Sequence, residues 1–180
     1  GALSFRRAAE ALDDAAAWQV EEDGGIVVDG GRIVAAGPFA TLGVSGLVVD
    51  HRPHLVMPGL IDAHAHFPQM QVIGSYGAEL LDWLNNYTFP AETRFASEAH
   101  AAQIAAAFLD EMVRQGTTTS AVYCTVHPQS AEAFFAESER RGMAMVAGKV
   151  MMDRNAPGAL TDDAQRGYED TKALIGKWHG

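Results

Sequence analysis

Hydrophobic positions fall into two regimes along the chain. Up to residue 57 they come in short runs: Ala2 to Phe5, Ile26 to Val28, Arg32 to Ala36, Leu47 to Val49 and Leu55 to Met57. Short apolar runs bounded by polar residues, glycine or proline predict β-strands. Asp29-Gly30-Gly31 lies between two of them. It predicts a tight hairpin, because these residues tolerate the positive φ of a type I′ turn. Gly37-Pro38 is expected to break the strand that follows. Arg6 to Ala17 is polar and Ala-rich, and reads as a loop or a short exposed helix. His51 and His54 flank Pro53 on a connection and read as surface or packing residues.

Beyond Pro58 strands and helices alternate. Leu60 and Ile61 begin an apolar run that reads as a buried strand, ended by Phe67-Pro68. Ala78 to Asn86 predicts a short helix or lid segment carrying Leu80, Leu81, Trp83 and Leu84. Ser97 is a good cap for a helix over Glu98 to Gln115, and Gly116 a good stop. Ile104, Phe108, Leu109, Met112 and Val113 form its expected buried stripe, with His100 facing solvent in the first turn. Thr117 to Val126 is the second strand, ended by His127-Pro128, and Ser130 to Arg141 the second helix, stopped by Gly142. Ala144 to Met151 is the third strand and Thr161 to Trp178 the third helix, weakened by Gly167. Repeated strand–helix units of this kind predict an α/β fold with a parallel sheet.

Composition narrows the function. With 48% hydrophobic and 20% charged residues the chain has material for a core and is not of disordered type. A net charge of −10 repels phosphate backbones, so no nucleic-acid partner is expected. No apolar run approaches the roughly 20 residues of a membrane helix, and none resembles a signal peptide. Cys124 is the only cysteine, which excludes an intrachain disulfide, argues against a thiolate metal site and fits a cytoplasmic location.

The chemistry concentrates in Leu60 to His66, Leu-Ile-Asp-Ala-His-Ala-His. Residues two apart on a strand face the same way, about 6.7 Å apart along it. His64 and His66 can therefore lean towards one point, and imidazole nitrogen binds zinc at about 2.1 Å. Asp62 has the same parity and is a candidate to buttress the pair from behind. A strand's carboxyl end is also where parallel barrels build their active sites. His127 closes the second strand and is a candidate third ligand or pocket residue. Lys149, on the third strand, is expected to take a structural, salt-bridged role.

The apolar strand after Pro58-Gly59, with small Ala63 and Ala65 around the two histidines, resembles the first barrel strand of the amidohydrolase superfamily. The run from Gly77 to Glu92, GAELLDWLNNYTFPAE, resembles the guanine deaminase branch, as does the loop Asp153-Arg154-Asn155-Ala156-Pro157. The resemblance implies the first three βα units of a (β/α)8 TIM barrel over residues 58–180, preceded by part of a small β-sandwich over residues 1–57. It implies hydrolytic deamination of guanine to xanthine and ammonia. One zinc ion per subunit would be bound in part by His64 and His66 and would make hydroxide available for attack on the amine-bearing carbon. Gln69 matches the residue the family uses to bind guanine, and its amide can both donate and accept; the alternative reading is that it caps the strand end. Trp83 and Tyr87 are candidates for a wall of the purine pocket or a subunit contact, although both also read as packing residues. The resembled enzymes are usually homodimers.

A (β/α)8 barrel takes about 250 residues, and about half of that follows Pro58. The chain is therefore expected to be an amino-terminal piece, inert and aggregation-prone by itself, with the other zinc ligands and the proton shuttle on later strands. Two alternatives stay open: an amidohydrolase acting on a different nucleobase or a triazine, and a metal-free scaffold with the same fold.

Overall fold

In the computed structural model, which describes residues 1–11, 13–43 and 45–179, strand β1 (Ala2–Phe5) pairs antiparallel with β2 (Trp18–Glu21). The expected loop between them returns on Asp14. Its carboxylate accepts from the backbone N–H groups of Glu10 and Ala16 and bonds the Arg7 guanidinium. Periodicity gave no sign of β2, because four residues offer only two alternations.

β3 (Gly24–Asp29) and β4 (Arg32–Pro38) form the expected hairpin. Gly30 and Gly31 carry φ of 55° and 76°, which allows Asp29 and Arg32 to pair directly. Contrary to expectation, β4 continues through Gly37-Pro38. Pro38 closes an edge strand opposite Gly24, where a missing N–H interrupts no ladder. The strands expected at Leu47–Val49 and Leu55–Met57 are not formed. Leu47 is 92% exposed, and Val56 makes only an isolated bridge to Ala2. Strand propensity becomes a strand only where a ladder continues, and the contact of Val56 with the Gly1–Leu3 backbone stops at a single bridge.

These elements belong to one unit, Gly1–Pro58; a second comprises Gly59–Gly180. In the second unit β5 (Leu60–His66), β6 (Thr117–Tyr123) and β7 (Ala144–Gly148) form a parallel sheet in the order β5-β6-β7. Between β5 and β6 run a 3-10 turn (Phe67–Val72), α1 (Leu80–Trp83), a π turn (Leu84–Thr88), α2 (Phe89–Thr93) and α3 (Glu98–Arg114). Ala78–Asn86 is therefore not one helix. Pro90 has no N–H to give the carbonyl of Asn86, and the helix widens just ahead of it. α4 (Pro128–Arg141) joins β6 to β7, and α5 (Ala164–Trp178) follows β7, running unbroken through Gly167.

The predicted caps act locally. Ser97 Oγ accepts from the His100 N–H at the start of α3, and Gly116 and Gly142 take positive φ after α3 and α4. α4 begins earlier than expected because Pro128 is well placed in a first helical turn. α5 begins later, capped by Asp163. β6 and β7 stop short of Val126 and Met151, although Cys124 N–H still donates to the Gly148 carbonyl and Val150 N–H to Thr125.

The core lies between the sheet and α3, α4 and α5, with Phe67, Phe95, Leu109 and Phe134 fully buried. On α3 the buried stripe runs through Ala101, Ile104, Ala105, Leu109 and Met112; Val113 is 53% exposed, outside it. Within residues 1–180 Leu60 and Ile61 are exposed, because β5 has only one strand neighbour there. His100 is half-buried rather than solvent-facing, edge-on to Phe95 with ring centroids 4.9 Å apart. Among the described residues, no helix is long and apolar enough to cross a membrane.

α3 and α4 are also held by charge. Arg141 bonds Glu137 at 2.7 Å and reaches Asp110 on α3 at 2.5 Å, while Arg140 bonds Glu137 at 2.6 Å. Hydrogen bonding from Arg140, with Arg141 beside it, holds the Glu137 carboxyl down to about 2, against an ordinary value of 4.5. A depressed carboxyl stabilises the fold above its unfolded pKa, and the contribution is lost as pH falls through the folded value. Glu137→Gln is therefore expected to remove a stability loss between about pH 4.5 and 2. Acid titrations of wild type and variant followed by circular dichroism would test this; superimposable acid limbs would rule out a contribution from Glu137.

Candidate metal centre

β5 reaches its carboxyl end through a distortion. Its pairing with β6 slips between Asp62 and Ala65, where β5 carries one residue more than its partner. Such a bulge re-aims side chains and takes an amide out of the ladder. The Asp62 carboxylate accepts from the His64 backbone N–H at 3.0 Å. Against the expectation from parity, Asp62 bonds the backbone of His64, not its ring. Just before the strand, Gly59 lies so close to Thr118 that any side chain would collide with it.

The imidazoles of His64 and His66 converge, with their Nε2 atoms 3.2 Å apart. Two nitrogens each about 2.1 Å from one tetrahedral zinc would lie roughly 3.4 Å apart, so this pair fits the ion with little adjustment. Burial, and secondarily the charge of His64, keeps the His66 pKa below its ordinary value. That favours neutral imidazole, the form that binds metal. Tyr123, the last residue of β6, stacks on His66 with ring centroids 4.8 Å apart and 16° between planes, and lies 5.1 Å from His64. No third ligand joins them: among the described residues no group of three His, Cys, Asp or Glu side chains could hold a metal.

His127 is engaged elsewhere. Its Nδ1 lies 3.0 Å from Thr125 Oγ1, and burial is the main cause lowering its pKa, against the carbonyl of Ala159. Lys149 Nζ donates to Asp162 Oδ2 at 2.5 Å with both side chains almost wholly buried, tying the end of β7 to the segment before α5. Burial works to raise the Asp162 carboxyl, but the hydrogen bond and charge of Lys149 outweigh it and leave it below its ordinary value. Cys124 is buried, which pushes its thiol up to about 12, so it offers no thiolate at neutral pH.

Gln69 follows on the 3-10 turn, and its Nε2 donates to Glu92 Oε1 on α2 at 3.1 Å. Glu92 is buried, and burial raises its pKa despite that hydrogen bond. Trp83 lies on α1, its indole N–H donating to Ser75 Oγ at 3.0 Å, and Ser75 Oγ donates in turn to the Val72 carbonyl.

Residues 55–178 match the family model described as "Amidohydrolase family". The chain belongs to the amidohydrolase family. Guanine deaminase of Escherichia coli (strain K12) is 48% identical over 132 residues, covering 73% of this amidohydrolase chain and 30% of the relative. The solved structure of E. coli guanine deaminase superimposes with a TM-score of 0.92 at 39% identity, over 99% of this chain and 42% of that one. Guanine deaminase from C. acetobutylicum, solved with guanine bound in its active site, matches with a TM-score of 0.75 at 28% identity, over 98% of this chain and 41% of that one. The amidohydrolase chain thus spans less than half the length of these relatives. Its three parallel βα units are part of a TIM barrel of the guanine deaminase type.

Two residues of this amidohydrolase site were not singled out from sequence. Tyr123 carried a weak signal, an aromatic near the end of the strand after the histidine pair. Glu92 closes the run Gly77 to Glu92 that carries the resemblance, but nothing in the sequence pairs it with Gln69, 23 positions away.

Proposed function

We propose that residues 1–180 form the amino-terminal, metal-binding part of a zinc-dependent guanine deaminase, which hydrolyses guanine to xanthine and ammonia. The observation that carries this reading is the 3.2 Å convergence of His64 and His66 Nε2 at the carboxyl end of β5, in a chain similar to guanine deaminases. Zinc bound there supplies a nucleophile from water at neutral pH. His64 and His66 would hold the ion, while the Asp62 carboxylate and the Tyr123 ring keep their backbone and planes in place. A catalytic zinc takes at least three protein ligands. The proposal therefore includes further ligands and a proton shuttle outside residues 1–180, which by themselves would be inactive. Residues 58–180 would be the first part of the barrel and residues 1–57 a portion of a small β-sandwich.

Gln69 would bind guanine through its amide, and Trp83 would line the pocket from α1, its indole N–H already held by Ser75. A homodimeric, cytoplasmic enzyme of purine catabolism follows from the resemblance alone. The test is a guanine-to-xanthine assay on the full-length protein that carries this chain, with Gln69→Ala alongside. Wild type should release ammonia from guanine, and the variant's KM should rise about tenfold or more for the loss of the hydrogen bonds the Gln69 amide makes to substrate. Turnover of another nucleobase or a triazine with guanine untouched would overturn the substrate. A stable wild type free of both metal and activity would favour the scaffold.

A further inference from the structure

A glutamine amide has two ends of nearly equal shape and opposite hydrogen-bonding sense. Nothing intrinsic to the residue decides which end faces a ligand; its neighbours decide. At Gln69 the deciding neighbour is Glu92, whose Oε1 accepts from Gln69 Nε2 at 3.1 Å. An ionised carboxylate only accepts, so it holds the NH2 end and repels the carbonyl end. Glu92 is itself well held. It is only 7% exposed, on a helix turn anchored by buried Ala91 and Phe95, with the Thr93 hydroxyl donating to the Phe89 carbonyl. A second tie joins the same two segments two residues along each, from Arg94 Nη1 to Gln71 Oε1 at 3.4 Å, in more exposed surroundings.

We propose that Glu92 is a positioning residue that sets specificity: it fixes the Gln69 amide so that its carbonyl oxygen and one N–H are the groups left for substrate. The ring edge accepted there must offer a donor beside an acceptor, as guanine does at its amino group and adjacent ring nitrogen. This rests on the reading of Gln69 as a guanine-binding residue. Glu92 acts only through Gln69 and exchanges no proton with substrate.

The test is a double-mutant cycle in the full-length enzyme, read as KM for guanine against kcat. Glu92→Met keeps the length and buried character of the side chain but frees Gln69 to rotate. The regained side-chain freedom should raise KM about tenfold. Glu92→Gln keeps a tether and loses its sense, so both orientations of Gln69 are populated and KM should rise only about twofold. Both substitutions should add nothing to KM when Gln69 is already alanine. That silence would not come from a merely structural role. If Gln69→Ala raises KM and the Glu92 variants do not, or if the effects multiply, the positioning role is wrong while the substrate role of Gln69 stands. An unchanged KM in Gln69→Ala removes Gln69 from the pocket and the proposal with it. Should Glu92→Met fail to fold, as judged by circular dichroism, Glu92→Gln alone decides through the same cycle.

Discussion

The double variant His64→Ala, His66→Ala is expected to lose its zinc while keeping its fold. The full-length protein should carry about one zinc per subunit and the variant close to none. Removing a single partner behind a ligand already costs about 10- to 100-fold in metal affinity. Removing two ligands should therefore leave the site empty at any ordinary zinc concentration, and guanine turnover should vanish with the metal. The fold should survive because neither histidine belongs to the core cluster. Metal analysis together with circular dichroism separates the two effects. Zinc retained in full by the double variant would move the metal site away from β5. The Tyr123 ring, 4.8 Å from His66, offers a local control: its fluorescence should respond to zinc in the wild type and not in the variant.

Phe67→Ala carries the largest expected stability loss, about 3–5 kcal/mol. Phe67 follows His66 directly, and its side chain is fully buried while the histidines are not. It packs edge-on to Phe95 with centroids 5.2 Å apart, against Phe134 at 5.1 Å, and near Phe108 at 6.2 Å. Deleting the ring removes its transfer free energy and opens a cavity that three fixed aromatic neighbours cannot readily close. Because this ring anchors the end of β5, zinc affinity should fall as well. Denaturant unfolding of the protein carrying the change, alongside zinc titration, would check both. A midpoint shift worth less than about 1 kcal/mol would mean the cluster relaxes around the gap.

Sequence and structure agree where the physics is local. The Gly30-Gly31 hairpin, the Ser97 cap and the Gly116 and Gly142 stops each depend on a few neighbouring residues and their φ angles, and each is found as read. The pairing of His64 with His66 was legible for the same reason, since alternation along one strand brings them to one side. The alternation reached too far at Asp62. Pairing with β6 inserts a bulge between Asp62 and Ala65, and register is a property of two strands, not of one.

By itself, then, the sequence determined the β3–β4 hairpin, the alternation of strands and helices after Pro58, several turns and caps, and the histidine pair with Gln69 just beyond it. The tertiary structure decided what depends on partners distant in the chain. It left Leu47–Val49 without a ladder. It set Tyr123 on His66 and Glu92 on Gln69. Propensity and periodicity act over a few residues, whereas burial, register and the sense of a buried hydrogen bond are fixed only when separate segments meet.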